Sequence, residues 1–563
     1  MARNRTADVL IVGAGPVGLS AAAELRRHDV RCRLVDRLPA RLPYAKAVGI
    51  QPRTLEIWDR MGMARAVLEA AVPLRGQLTY VNGREKTRIE LFLPPEVPYG
   101  FAALPQYETE RLLEEYVAGL GTPIERGTEL LSFTQDQDGV TARLRTASGA
   151  DEETRVRYLI GCDGAHSIVR KTLGRSFEGG AFPEEYMLAD VEADWDLPRG
   201  YGVRSSHLAD DGSTDDALVC IPLPGPGRYR MSMRVPPELS AQATGQGHAG
   251  GDGVAHGLEG GRAPELSHIQ AVVDRLAPEP AVLSRMRWSS VFRISHRIVD
   301  RYGEGRVFVA GDAAHIHPPT GAQGMNTGIQ DACNLAWKLA LVVHGAAGPA
   351  LLTTYDAERR PVGEEVVGRT VRHATHGIDA DPADPRTLML REAQLLVGYR
   401  GGPLAGSPHG PDDAPQPGDR APDCAGLTST VAAYPLRLLD ILRGRAGHVA
   451  LLYGAGPADL AEAIAATTAA APAPTEGAAL LGAVLAVLAR DAEPTAPETL
   501  AVPGYRDAAG DFARLYRPEG PTGFVVRPDG QLGARFPLSD TGAALSAYFA
   551  SLSAVKGQAA MSR

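Results

Sequence analysis

The sequence predicts an α/β fold with a parallel sheet at its centre, and three observations support that prediction. A short apolar strand, a glycine loop and a helix open the chain over residues 8–28. Residues 186–235 then alternate between apolar and polar side chains, which is typical of antiparallel strands. After a stretch rich in Gly, Pro and Asp at residues 401–419, strand-like runs at 449–453 and 523–526 indicate a separate α/β domain.

The length and charge of the chain narrow the kinds of protein that it can be. Its 563 residues predict two or three domains. Its formal net charge of -9 lacks the Lys and Arg surplus that nucleic acids and anionic membranes attract, so we expect neither as a partner. The longest apolar run, residues 477–489, is too short to span a bilayer and is interpreted as a buried helix. No secretory signal is evident, so we expect a cytoplasmic protein.

The chain opens with a βαβ unit. Residues 8–12 are predicted to form a strand, residues 19–28 a helix, and residues 30–35 a second strand that ends at Asp36, with Arg37 beside it. The loop after the first strand has the Gly-x-Gly-x-x-Gly spacing of a dinucleotide-binding turn, in Gly13, Gly15, Pro16, Val17 and Gly18. In such a loop the phosphates lie at the positive end of the helix, and an acid in the place of Asp36 accepts from a ribose.

The middle of the chain predicts a hairpin, a helix, a further strand and an antiparallel sheet. The predicted hairpin joins residues 77–81 to residues 86–92 through Asn82-Gly83. The predicted helix is 108–120, and the strand 156–160 runs into Gly161-Cys162-Asp163-Gly164. Strand alternation returns at 288–299, and the Gly- and His-rich residues 241–261 are interpreted as a mobile insertion loop.

A third motif follows another apolar strand, residues 306–310, and reads Gly311-Asp312. Asp312 can accept hydrogen bonds from sugar-like hydroxyl groups. Because the three glycine-containing motifs each end a strand and occur in this order, they indicate a non-covalent FAD bound along its length. The chain is therefore predicted to be a redox enzyme.

The loop after Asp312 is the predicted flavin-lining segment, and a helix is predicted over residues 326–344. The helix N-terminus can stabilise negative charge on a reduced flavin. The candidate residues are Pro318, Gly321, Gly324, Met325 and Asn326. His315 and His317 have the look of a metal pair, but no third ligand is nearby, so no metal is predicted and a role in loop structure is favoured.

With these motifs, and with residues 46–56 and 105–112, the chain resembles the class A flavoprotein monooxygenases of the para-hydroxybenzoate hydroxylase fold over residues 7–400. The resemblance implies a Rossmann-like, GR2-type FAD-binding domain interleaved with an antiparallel-sheet substrate domain. The FAD-binding domain would comprise residues 1–75, 106–180 and 291–400, and the substrate domain residues 76–105 and 181–290.

The resemblance also implies roles for single residues. Asp163 would serve both FAD and NAD(P)H binding, and Gln106 would reach the ribitol and phosphate region. At the position of Lys46 the family usually has an Arg that contacts the cofactor. Lys46 would make this contact as a point charge, without the bidentate fork of Arg.

The tail has a likeness of its own. Residues 417–423 and 527–530 resemble the thioredoxin-like C-terminal domain of phenol hydroxylases and polyketide hydroxylases. The implied division is a linker at 401–419 and a thioredoxin-like domain at 420–555. That domain has one cysteine, Cys424, and no Cys-x-x-Cys pair, so a structural or interfacial role is favoured.

The implied activity is that of an FAD-dependent monooxygenase that uses NADPH or NADH and O2. It would hydroxylate a small phenolic substrate, of the aromatic polyketide type, through a flavin C4a-hydroperoxide. No protein side chain is assigned as a catalytic residue. Two alternatives stay open, a Baeyer–Villiger oxygenation of a polyketide ketone and a catalytically inactive flavin-containing binding protein. The oligomeric state also stays open, with a homodimer as one option.

Overall fold

The computed structural model describes residues 7–44, 46–240, 254, 256–259, 263–376, 381, 383–471 and 480–554. Its helices are α1 (Pro16–Arg27), α2 (Pro52–Met61), α3 (Ala64–Ala70), α4 (Gln106–Gly119), α5 (Ile168–Thr172), α6 (Leu266–Leu276), α7 (Gly324–Val343), α8 (Thr353–His376), α9 (Pro385–Glu392), α10 (Leu438–Leu442), α11 (Pro457–Ala470), α12 (Asp511–Tyr516) and α13 (Thr541–Ala554). The predicted insertion loop 241–261 lies mostly outside the described residues.

The strands of the first half are β1 (Val9–Val12), β2 (Cys32–Asp36), β3 (Gly49–Ile50), β4 (Val72–Pro73), β5 (Gly76–Val81), β6 (Arg84–Glu90), β7 (Ala102–Ala103), β8 (Ile124–Arg126), β9 (Glu129–Gln135), β10 (Val140–Arg145), β11 (Asp151–Val156), β12 (Tyr158–Gly161), β13 (Phe177–Asp194), β14 (Tyr201–Leu208), β15 (Thr214–Pro222), β16 (Arg228–Arg234), β17 (Gly257–Glu259) and β18 (Val282–Val299). Those that follow are β19 (Gly303–Glu304), β20 (Val307–Val309), β21 (His315–Ile316), β22 (Leu427–Thr428), β23 (His448–Gly454), β24 (Leu481–Leu488), β25 (Gly504–Asp507), β26 (Thr522–Val526) and β27 (Leu532–Pro537).

The central sheet confirms the predicted βαβ opening. Its order is β19-β20-β12-β1-β2-β8, and every neighbouring pair from β20 to β8 is parallel. All four residues of β1 are buried, because the sheet is covered on both faces, as parallel sheets are. Helix α1 begins at Pro16, three residues before the predicted start, since a proline fits the first turn of a helix.

A second, larger sheet is formed by β17, β18, β13, β16, β15, β14, β5 and β6, with β21 paired to β18. Its pairs are antiparallel except for β14 with β5, so the predicted alternation over residues 186–235 is confirmed. One face carries Met187 and Met231 and packs with Ile269 of α6. The opposite face carries the buried residues Leu188 and Phe292. The substrate domain expected from the resemblance would present this opposite face.

A third sheet lies in the C-terminal part, in the order β22-β25-β24-β23-β26-β27. The interpretation of residues 477–489 as a buried helix is wrong, because residues 481–488 form the central strand β24. This strand pairs in parallel with β23 and β25. A short buried apolar run has no periodicity that separates strand from helix, so the neighbouring strands decide. Residues 477–479 lie outside the described residues.

Residues 401–419 alternate between exposed and buried positions, and the buried ones pack against the neighbouring chain. Leu404 and Ala414 are each only 1% exposed. The amide of Gly418 donates to the carbonyl of Leu532, and the amide of Gly406 donates to that of Gly533. The segment therefore adds contacts between the two halves of the chain. Within the described ranges, no helix is both long and apolar enough to cross a membrane.

Candidate functional site

The three sequence motifs meet at one edge of the central sheet. Strands β20, β12, β1 and β2 are parallel neighbours, so their carboxyl ends lie side by side. The residues that follow these ends are the Gly13 loop, Asp36, Asp163 and Asp312. Such an edge is where open parallel sheets bind ligands.

The glycines of the first loop have different roles. Gly13 has φ of +101°, and a β-carbon there would lie 2.3 Å from the carbonyl oxygen of Cys162. A β-carbon on Gly18 would lie 1.9 Å from the carbonyl oxygen of Gly13. A β-carbon on Gly15 would meet no described atom within 4 Å. Gly13 and Gly18 thus serve packing, while the position of Gly15 opens onto space that no described atom fills.

Helix α1 points its N-terminus at that space. No side chain of the described chain caps it, so the amides of its first turn are free to bind an anion. Its Val17 fills the space beside two further glycines, because a β-carbon on Gly311 would lie 2.8 Å from the Val17 side chain and one on Gly328 would lie 2.7 Å away. The glycine loop, the Gly311-Asp312 turn and helix α7 are therefore packed as one unit.

Two of the three aspartates hold the backbone in place. The Asp36 carboxylate accepts from the amides of Ala14, at 2.7 Å, and Leu38, at 2.8 Å. The Asp163 carboxylate accepts from the Ser167 hydroxyl at 2.6 Å and from the Ile168 amide at 2.7 Å, and so caps helix α5. Burial raises the pKa of Asp163, and these hydrogen bonds oppose the shift.

Asp312 differs from the other two. It lies at the start of a 3₁₀ turn and is partly exposed. In the part of the chain that the structure describes, no donor hydrogen-bonds its carboxylate. Of the three aspartates, Asp312 is therefore the one whose carboxylate is not used by a described donor.

The loop after Asp312 is fixed by Asn326. Its amide nitrogen donates to the carbonyls of Gly49 and Ala322, and its oxygen accepts from the Gln51 amide and the Thr54 hydroxyl. The Asn326 side chain is thus fully used within the protein, where it ties the loop to residues 49–54. Gly321 and Ala322 are left-handed, with φ of +70° and +54°, and Pro318 at the start of the loop is buried while Met325 packs partly buried against the core.

Gln106 and Lys46 lie together at the other side of the edge. The Gln106 amide group accepts from the Ala47 amide at 3.1 Å and donates to Glu110 at 2.8 Å. Burial raises the pKa of Glu110 to about 7. Lys46 and Arg37 are exposed, so both can reach a cofactor from the solvent side.

A buried network that the sequence did not suggest holds the Gly311-Asp312 turn. The Asp331 carboxylate of α7 accepts from the Gly311 amide at 3.2 Å, from His315 Nε2 at 2.7 Å and from Arg359 Nε at 2.8 Å. Burial alone would raise the pKa of Asp331, but Arg359 and His315 outweigh it and keep the pKa below its ordinary value. A sequence signal was present, because Asp331 is the first of a row of polar residues on one side of an apolar helix, with Asn334 and Lys338.

The two histidines of the loop are committed to this structure. His315 pairs with Asp331, and His317 Nδ1 donates to the Pro318 carbonyl at 2.8 Å. Burial, aided by neighbouring His315, lowers the pKa of His317 to about 4, so its ring is neutral. Among the described residues, no group of three or more His, Cys, Asp or Glu is placed to hold a metal ion.

The face of the large sheet that carries Leu188 and Phe292 contacts the loop that follows β2. The ring of Tyr44, in the loop that follows β2, lies 5.5 Å from the ring of Trp288 in β18. Asp190 accepts from Arg230 at 2.7 Å and from the Trp288 indole at 2.9 Å. Beside them Leu188 and Phe292 form an apolar cluster. The Tyr44–Trp288 contact thus joins the loop after β2 to the aromatic side of the large sheet.

Known proteins share this arrangement. A family model described as an FAD binding domain matches residues 6–370. The chain is 35% identical to a flavin-dependent monooxygenase of Mycobacteroides abscessus over 458 residues, which is 79% of this chain and 88% of the relative. It is 40% identical to the 6-methylpretetramide 4-monooxygenase of Streptomyces rimosus over 366 residues, 64% of this chain and 61% of that protein.

Solved structures give the same result. The flavin-dependent monooxygenase PieE, in complex with FAD and substrate, matches with a TM-score of 0.78 at 25% identity and covers 98% of this chain and 100% of its own. Aklavinone-11 hydroxylase, with FAD and aklavinone, matches with a TM-score of 0.73 at 26% identity over 98% and 99% of the two chains. The chain therefore belongs to the FAD-binding class A aromatic hydroxylases and is an FAD-dependent monooxygenase.

Proposed function

We propose that this enzyme hydroxylates a planar, phenolic substrate of the aromatic polyketide type, with O2 and with NADPH or NADH as reductant. When bound, FAD would supply the redox chemistry: hydride acceptance from the nicotinamide and delivery of one oxygen atom of O2 to the substrate, with the other oxygen leaving as water. The best support is that two features lie at the same edge of the central sheet. One is the partly exposed Asp312, and the other is Gly15, beside which a β-carbon would meet no described atom.

The residues at the edge would bind FAD along its length. The amides of α1 and the space at Gly15 would hold the pyrophosphate, and Asp36 would meet the adenosine ribose while it keeps the loop in shape. Asp312 and Gln106 would bind the ribitol. The backbone at Gly324, at the start of α7, would face the flavin and stabilise negative charge there.

The face of the large sheet that carries Leu188, Phe292 and Trp288 would bind the aromatic substrate. Apolar Leu188 and Phe292 exclude water, and the Tyr44–Trp288 pair offers flat surface for stacking. Exclusion of water matters for the reaction, because a reactive oxygen species that meets solvent decays without transferring oxygen. Relatives with similar sequences include enzymes named for 6-methylpretetramide, anhydrotetracycline and pentachlorophenol, which supports a phenolic substrate.

We further propose that residues 420–555 form a thioredoxin-like domain, joined through residues 401–419. Support comes from the central strand β23, which has β24 parallel on one side and the β26–β27 hairpin on the other. Cys424 is fully buried, and burial raises the pKa of its thiol well above the ordinary value. Such a thiol is unreactive, so the domain would act through its surfaces.

The test is oxidation of NADPH and of NADH by the purified enzyme in ¹⁸O2, with and without a panel of tri- and tetracyclic phenols. We expect one phenol to accelerate reductant oxidation, and its product to carry one ¹⁸O atom in a new ring hydroxyl. The control is the Asp312→Ala variant, which is expected to bind FAD weakly. It is assayed at the highest FAD concentration that the assay allows.

Three outcomes would contradict the proposal in different ways. A label found in a ring-expanded ester would favour Baeyer–Villiger chemistry on a ketone. Bound FAD that no reductant bleaches, with any compound of the panel present, would favour an inactive binding protein. Acceleration with all label in H2O2 would mean that the added phenols only trigger reduction.

A further inference from the structure

A cluster of buried charges joins the C-terminal domain to the helices of the FAD site. Arg527, in the turn 527–530, donates to both oxygens of Glu358 in α8, at 2.7 and 2.8 Å. Lys338 in α7 donates to the same carboxylate at 2.7 Å. None of these three side chains is exposed to solvent. The established chemistry of the enzyme uses none of them.

Asp529 completes the cluster. Its carboxylate accepts from the Trp337 indole and from the Asn334 amide, each at 3.1 Å, and its backbone carbonyl accepts from Arg53 in α2 at 2.7 Å. It also pairs with Arg527 at 2.6 Å. One turn of the C-terminal domain therefore contacts three helices of the FAD-binding part.

One of those helices begins in the flavin-lining loop, and the start of a second contacts it. Helix α7 starts at Gly324, and α2 starts beside Gln51, whose amide donates to Asn326 at 3.0 Å. The third helix carries Arg359 next to Glu358, and Arg359 donates to Asp331. Asp331 in turn holds the Gly311 amide, one residue before Asp312. A short chain of direct contacts thus runs from the turn 527–530 to the flavin side of the site.

From these contacts we infer that the turn 527–530 is a positioning element for FAD, with Arg527 and Asp529 as positioning residues. This inference rests on the placement of FAD at the sheet edge proposed above. Removal of one charge would leave the others buried and uncompensated, so α7 and α8 would shift or admit water. The Gly311-Asp312 turn and the loop 318–326 would then hold FAD less tightly, although no residue of the C-terminal turn contacts it.

The experiment uses full-length apoprotein, titrated with FAD at 10 °C while flavin fluorescence and visible circular dichroism are recorded. For Asp529→Ala we expect the FAD Kd to rise at least tenfold and the visible circular dichroism of the bound flavin to change. For Trp337→Phe, which removes one donor to Asp529 and keeps the packing, we expect a rise of two- to tenfold. Far-UV circular dichroism and Tm are measured on the same samples.

The matched control is Arg443→Ala. Arg443 pairs with Asp59 at 2.7 Å across the same interface, but at its rim, with 43% of the Arg443 side chain exposed. We expect this variant to keep the wild-type Kd and flavin spectrum, even where its Tm falls. A general effect of weakened docking would change all three variants alike and would contradict a specific role for the turn.

The inference fails if soluble Asp529→Ala and Trp337→Phe both bind FAD with the wild-type Kd and the wild-type spectrum, whatever their Tm. If Asp529→Ala does not fold, the Kd of Trp337→Phe decides, and an unchanged value overturns the inference. Failure of the cofactor assignment is a separate outcome, because the wild-type chain itself would then bind no FAD.

Discussion

Arg359 and Asp331 form an ion pair with 2.8 Å between Nε and Oδ1, and neither side chain is exposed. The other Asp331 oxygen holds the Gly311 amide and His315. The pair therefore connects the long helix α8 with the turn that presents Asp312. It stabilises the site without contact to a cofactor.

Asp331→Asn is expected to destabilise the enzyme and to weaken FAD binding. It leaves the Arg359 guanidinium buried without its counter-charge, and loss of one partner of a buried pair costs about 3–5 kcal/mol. The measurement is the urea midpoint of the FAD-loaded enzyme together with the FAD Kd. Asp151→Asn, in an exposed pair with Arg143, serves as the control and should leave both values unchanged. Wild-type values for Asp331→Asn would contradict the account of this network.

Gly324→Val is expected to slow flavin reduction or to raise the release of H2O2, while FAD is still bound through the Gly13–Gly18 loop. A β-carbon at Gly324 would lie 3.3 Å from His317 Nε2, so the added side chain would push the start of α7 out of place. Stopped-flow reduction and a peroxide assay measure the effect. Gly119→Val, at a position with no described atom within 4 Å of the new β-carbon, is the matched control. Wild-type rates and coupling in Gly324→Val would mean that this loop does not line the flavin.

The stability of the enzyme is expected to fall as pH falls from about 6.5 toward 4. Burial lowers the pKa of four histidines to about 3 or 4, namely His28, His256, His317 and His448. Each histidine has its ordinary pKa of about 6.5 in the unfolded chain and a lower pKa in the folded chain. At a pH between these two values the unfolded chain binds a proton that the folded chain does not, so acidification lowers the free energy of unfolding. Each histidine contributes a slope of about 1.4 kcal/mol per pH unit.

The slope is measured as the urea midpoint of the enzyme between pH 7 and pH 5. His448→Gln should flatten it by about one histidine, and His207→Gln should not, because the His207 side chain is 52% exposed. Glu110, whose pKa burial raises to about 7, opposes this slope, so the comparison of variants decides. A slope in His448→Gln equal to that of the wild type would show that the His448 ring takes up its proton in the fold.

The parts of the fold that the sequence predicted are those that local physics decides. The Gly13 turn needs a left-handed residue, the Asn82-Gly83 hairpin needs two, and the strand before Asp312 is short and apolar. β24 was misread because an apolar run becomes a strand only through its neighbours. The Gly-, Pro- and Asp-rich composition of residues 401–419 predicts a linker and gives no sign of a packing partner. In the structure the segment is hydrogen-bonded to strand β27.

The same division between local and distant signals holds for the candidate site. The positions of Gly15 and Asp312 follow from motifs with a fixed spacing. The contacts of Asn326 and Asp331 do not, because their partners are distant in the chain and come together only by packing. The contacts of the charged turn at Arg527 could not be predicted, because nothing in its residues shows that α7 and α8 lie against it.

The central claim is that FAD lies along the carboxyl edge of the sheet with its ribitol at Asp312, and Asp312→Ala tests it most directly. Hydrogen bonds to a charged group contribute about 1.5–3 kcal/mol, so the FAD Kd should rise about ten- to a hundredfold. Asp300→Ala, which removes a surface carboxylate paired with Arg175 at 3.3 Å, is the control and should bind FAD as the wild type does. The measurement is a fluorescence titration of each apoprotein with FAD. The account predicts a raised FAD Kd for Asp312→Ala and a wild-type Kd for Asp300→Ala. An unchanged Kd in Asp312→Ala would contradict it.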